Sequence, residues 1–106
     1  MLLTTTPTIE GHKIEQYLGI VSGETIIGAN FVKDFFASIH DIFGGRTSSY
    51  EKVLRKGKDC ALKEMTERAE ELGANAIVGI DLDYETVGEN STILMVSCNG
   101  TAVRID

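Results

Sequence analysis

Soft metal donors are scarce in this chain. Its two cysteines, Cys60 and Cys98, stand far apart, and its two histidines, His12 and His40, are isolated. No CxxC pair, HxH pair or local Cys/His cluster is present, so the spacings that build structural zinc sites and dithiol redox centres are missing. No HExxH run, serine elbow or phosphate-binding P-loop appears either. Basic charge is also short: 10 Lys and Arg against 16 Asp and Glu give a net charge of −6. That balance opposes nonspecific binding to nucleic acid or to an anionic membrane. No apolar run approaches membrane-spanning length. The apolar Leu2 and Leu3 are followed at once by threonines, unlike a signal peptide. The expectation is a cytoplasmic protein with reduced thiols.

The composition that remains is that of an ordinary globular chain, 42% hydrophobic and a quarter charged. Its 106 residues make one domain, 1–106, with a core that subunit association would help to stabilise. Charge is unevenly placed. Arg46 to Arg68 holds seven of the basic residues and four acids, about +3, while the rest holds three basic residues and twelve acids, about −9.

Period-two alternation and turn residues predict strands at residues 2–6, ended by Pro7, and at His12–Val21, with a short apolar piece at Thr25–Ile27. In the second strand Ile14, Leu18 and Ile20 share one face and Tyr17 and Val21 the other, which predicts cover on both sides. Asn30 caps a predicted helix to Phe43, whose apolar stripe includes all four phenylalanines. Ser48-x-x-Glu51 has the form of a capping box and opens a long helix to about Leu72. Its core positions are Tyr50, Val53, Leu54, Gly57, Ala61, Met65, Ala69 and Leu72. Glu51–Arg55, Asp59–Lys63 and Glu64–Arg68 stand in the favourable acid-first order at i,i+4. Gly73 stops this helix.

The segment Gly73–Glu85, GANAIVGIDLDYE, is the most informative. Strict alternation places Ala76, Val78, Ile80, Leu82 and Tyr84 on one face, and Ile77, Gly79, Asp81, Asp83 and Glu85 on the other. Three carboxylates then lie about 6–7 Å apart in a row, which requires water, a cation or a basic partner. A turn at Gly88-Glu89-Asn90 leads to a last strand, Thr92 to Ile105, with Asn99-Gly100 as a bulge or turn. The order predicts an α+β fold with a mostly antiparallel sheet packed on two helices.

Together, GGRTSSYE at Gly44–Glu51, GANAIVGIDLDYE and ILMVSCNGTAV at Ile93–Val103 resemble the YbjQ-like family of small bacterial proteins, which carries a heavy-metal-binding label. The N-terminal half is similar as well. The resemblance implies a small domain that assembles with itself into a closed ring, a homopentamer, with no established biochemical function. Metal binding is implied only by the label.

Candidate site residues fall into two groups. Arg46 and Ser48, at a glycine-rich turn before a helix, could hold a small anion through backbone amides and the guanidinium fork. Asp81, Asp83 and Glu85 offer oxygens to a hard metal ion or charges to Lys and Arg of this or another subunit. The metal ligands and any cofactor stay open. Nothing reads as a nucleophile with its base, so the leading expectation is a self-associating ligand-binding or scaffold module. The alternative is a small-molecule enzyme with intersubunit carboxylates, Asp81 and Asp83 sharing a proton and Arg46 anchoring an anion. Cys60 and Cys98 read as buried packing residues.

Overall fold

The computed structural model describes residues 1–28, 48–88 and 93–106, apart from the side chains of 48–50. Strands β1 (Leu2–Leu3) and β2 (Ile14–Ile27) precede helix α1 (Ser48–Glu71), and β3 (Ala76–Val87) and β4 (Ile93–Ile105) follow it. They form one sheet in the order β1-β3-β4-β2. The long strands β2, β4 and β3 are antiparallel neighbours, while β1 runs parallel to β3, so the sheet is mixed. The expected helix Asn30–Phe43 lies outside the described residues.

Residues four apart on α1 build its buried stripe: Val53, Gly57, Ala61, Met65 and Ala69. They pack on Val21 and Ile27 of β2, Ile77 and Ile80 of β3, and Leu94, Val96, Cys98 and Ala102 of β4. Two glycines set the separation of helix and sheet. A Cβ at Gly23 would strike the Ala61 carbonyl oxygen and lie 2.8 Å from the Met65 amide, and one at Gly57 would lie 2.8 Å from a Val96 methyl. The helix stops as its sequence predicts. Gly73 adopts a left-handed φ of 87°, and its amide donates to the Glu70 carbonyl at 2.9 Å. Leu72, expected in the core, lies beyond the last turn and is exposed.

Three expectations about the strands are corrected. The first strand is only Leu2–Leu3, because Thr4 and Thr6 turn their backbone groups to a bulge in β3. The expected strand His12–Val21 starts at Ile14 and runs on through Thr25–Ile27 as one strand, since Gly23 continues it beneath the helix. And the alternation in β3 is not strict. Val78 pairs with Thr101 and Asp81 with Asn99, so Gly79 and Ile80 together oppose Gly100. Gly79 takes φ of 63°. The two displaced amides find partners in the N-terminal segment: Gly79 donates to the Thr6 carbonyl at 2.9 Å and Ile80 to the Thr4 carbonyl at 3.1 Å.

The bulge swaps the faces of the residues before it. Ile77 joins Ile80 and Leu82 on the helix side, while Ala76 and Val78 turn to a second small cluster with Val103, Ile105, Ile9 and Ile14. Gly100 supplies the room, since a Cβ there would lie 2.7 Å from an Ile77 methyl and 3.1 Å from Ile80. Asn99-Gly100 is thus neither bulge nor turn in β4, which runs through it unbroken.

Of the three expected helical ion pairs, Glu64–Arg68 is formed, at 2.8 Å. Arg68 also reaches over the β2 edge, donating to the Ser22 carbonyl at 2.7 Å and standing 3.7 Å from Glu24. It is half exposed, so its charge pairing is screened. Arg68→Ala is expected to cost about 1 kcal/mol, chiefly through the hydrogen bond to Ser22, as measured by urea unfolding. A loss under about 0.3 kcal/mol would show the clamp to be idle.

Candidate functional site

The carboxylate row is built by β3 after the bulge. Asp81 pairs with Asn99, Asp83 with Ser97 and Glu85 with Met95. Directly paired residues share a sheet face. Because Leu94, Val96 and Cys98 face α1, the alternating Met95, Ser97 and Asn99, and with them the three acids, face the opposite way. The register to β2 completes the surface in rows: Val78–Thr101–Ile20, Asp81–Asn99–Ser22, Asp83–Ser97–Glu24 and Glu85–Met95–Ile26.

Asp81 and Asp83 lie across the sheet from α1 of their own chain, whereas Glu85, nearer the strand end, also borders the helix-side groove that Arg55 and Lys58 line. The carboxyl of Asp83 is held above its ordinary value by hydrogen bonding to Asp81, by the Asp81 charge and by that of Glu85. The three acids are exposed and strung along a line. Among the described residues no three His, Cys, Asp or Glu side chains are grouped to hold a metal ion.

The same face carries exposed apolar side chains, of which the alternation misassigned Ile20. Ile20 is 85% exposed and Ile26 65% exposed. Ile20 was expected on a covered face with Leu18, but Leu18 packs on the helix-side cluster. The register slips between Tyr17 and Gly19, where Gly19 takes φ of 129°, and this turns Ile20 outward. The expected cover of β2 on both sides is therefore absent within the described chain. Glycines at 19, 79 and 100, inside otherwise regular strands, were the sequence signal for these irregularities.

The remaining candidates do not join the row. Arg46 lies outside the described residues. Ser48 begins α1, as the capping-box pattern predicts, with its backbone alone described. On the helix side a groove of about 620 Å³ opens between α1 and the end of β3, lined in part by Leu54, Arg55, Lys58, Tyr84, Thr86 and, of the acidic row, Glu85. It contains neither Asp81 nor Asp83.

The thiols divide. Cys98 is buried as expected, and burial pushes its thiol pKa up, disfavouring the thiolate that binds metal. Cys60 is exposed, against expectation, because it sits one position off the stripe of Gly57 and Ala61. His12 is at the end of the sheet, where its Nδ1 lies 3.2 Å from Asp106.

A family model described as "Putative heavy-metal-binding", the YbjQ family, matches residues 1–106. The chain belongs to this family. Its fold is similar to that of a DUF74-family protein of unknown function from Pediococcus pentosaceus, known from a crystal structure. The two share 20% identity with a TM-score of 0.64, over 100% of this chain and 98% of the other. At that identity the likeness concerns the fold, an α+β arrangement of helix on mixed sheet. Among the described residues of the YbjQ chain, the soft donors do not fit a metal site: one thiol is sealed, one has no second soft donor grouped with it, and His12 is engaged elsewhere. No helix among the described residues is long and apolar enough to cross a membrane.

Proposed function

We propose that this protein is a self-assembling binding or scaffold module of the bacterial cytoplasm, in which the open sheet face of one copy is covered by another copy. The observation that supports it most is that Asp81 and Asp83 on β3 share the sheet face turned from their own helix with exposed Ile20 and Ile26 on β2, across the intervening β4. A self-repelling acidic row on one face with bare isoleucines is what a protomer leaves for a partner to cover. The complementary charge lies on α1, at Lys52 and Lys63 on its exposed side and at Arg55 and Lys58 along the groove toward β3.

Acidic sheet face and basic helix flank are different surfaces, so their contact is heterologous and repeats head to tail. Such contacts close into a ring when the rotation allows. The family resemblance supports a homopentamer. Net negative charge keeps nucleic acid off the list of partners.

The test is sedimentation of the pure protein over a salt series. Assembly should be present at low salt and loosen as salt rises from about 0.05 to 1 M, where the screening length falls from above 10 Å to about 3 Å. A monomer at every salt concentration would sink the reading.

One observation favours a second reading, an enzyme with intersubunit carboxylates: the hydrogen-bonded Asp81–Asp83 pair with its raised Asp83. In that case a partner subunit would complete a pocket over the pair, and removing the carboxyls would abolish ligand binding while assembly survived.

A further inference from the structure

The placement of the soft donors contradicts the heavy-metal label of the family. We propose that this chain does not carry heavy metal through its own thiols: Cys98 is a packing residue sealed between β2, β4 and α1, and Cys60 is an isolated surface thiol. This stands independently of the self-association reading.

Cys98 is 1% exposed, in the cluster that also holds Val21, Ala61 and Met65. Its strand partner is Gly23, whose backbone also hydrogen-bonds the thiol. At Gly23 the backbone of α1 presses directly on the sheet, so helix and strand cover the thiol from that side. A metal ion would have to enter the buried core to reach this thiol.

Cys60 is one residue from Ala61 but points off the stripe, beside Thr25, Ile26 and Gly28 along the β2 edge. The groove there offers it no second sulfur or imidazole among the described residues. His12 cannot join either thiol. It contacts Asp106, next to Ile105, and seven strand positions separate Ile105 from Cys98, about 23 Å at ~3.3 Å per residue. His40 lies outside the described residues. Among the described residues no three His, Cys, Asp or Glu side chains are grouped to hold a metal ion.

The experiment uses the full chain, reduced and stripped of metal, with Zn²⁺ and Cd²⁺ as probes. Calorimetric titration should give no saturable binding at micromolar metal. In parallel, a Cys60→Ser variant should show a remaining thiol that is inert to a disulfide reagent until denaturant unfolds the chain. Saturable micromolar binding of either ion would overturn the proposal, including binding through Cys60 side chains gathered from several subunits. So would rapid modification of Cys98 in the folded Cys60→Ser protein. Cys98→Ala, which keeps the site small and apolar, provides the second check: its metal titration should match that of the unsubstituted chain, and a difference between them would also overturn the proposal.

Discussion

Replacing Gly23 by alanine is expected to lower the stability of the fold by about 3 kcal/mol or more, a larger loss than most core insertions produce. The added methyl would meet the Ala61 carbonyl oxygen and the Met65 amide nitrogen, both backbone atoms of α1. A flexible side chain could swing aside; a helix backbone cannot move without carrying its neighbours. Val53, Gly57, Ala61, Met65 and Ala69 are all seated in the same contact, so lifting the helix at Ala61 loosens the whole stripe. Gly57→Ala is the natural comparison, because the atom it meets most closely is a Val96 methyl rather than backbone. It adds helix propensity worth up to about 1 kcal/mol and relieves its clash by a side-chain shift. It should therefore cost clearly less than Gly23→Ala. Urea unfolding followed by circular dichroism decides the matter. Equal losses for the two variants, or a loss under about 1 kcal/mol at Gly23, would mean that the helix does not rest on that strand as described.

That contrast also shows what was legible in the sequence. The long helix could be read because its cues are local: a capping box, an apolar stripe of period 3.6 and a stop glycine at 73. The faces of β4 could be read because its alternation is unbroken from Ile93 to Ile105. The glycines inside strands were visible, but their meanings were not. Gly23 makes room for a helix, Gly79 opens a bulge, and Gly100 clears space for Ile77 opposite that bulge. Each meaning depends on what another element places against it, and period-two counting carries no such information. Hence the swap of Ile77 with Ala76 and Val78, and the outward turn of Ile20. The carboxylates themselves were legible, since Asp81, Asp83 and Glu85 all follow the bulge and keep their common face. The separation of Asp81 and Asp83 from the basic helix was not, because sequence distance does not tell which side of the sheet a helix covers.

The double variant Asp81→Asn, Asp83→Asn is expected to act in opposite directions on assembly and on the protomer. Within one protomer Asp83 has its pKa raised by the bond to Asp81 and by neighbouring negative charge. A carboxyl raised on folding binds its proton more tightly in the folded state than in the unfolded one. Its ionisation therefore works against the fold above the ordinary carboxyl range, and that penalty is relieved as pH falls through the raised value. Neutral amides remove the repulsion at every pH, so protomer stability at neutral pH should hold or rise slightly. Assembly should suffer. If the carboxylates meet cationic side chains of a neighbour's α1, each interfacial pair couples by roughly 1.5 kcal/mol or more, and the loss of two weakens association about 100-fold. Acid should mimic the variant, dissociating the unsubstituted protein as the pair takes up its proton while leaving the double variant's weaker association nearly unchanged. Sedimentation at neutral and acid pH, beside thermal unfolding of the dissociated protein, measures both arms. Assembly unchanged in the double variant would remove the acidic face from the interface, and a protomer destabilised by the substitutions would show the carboxylates to be internal structural groups instead.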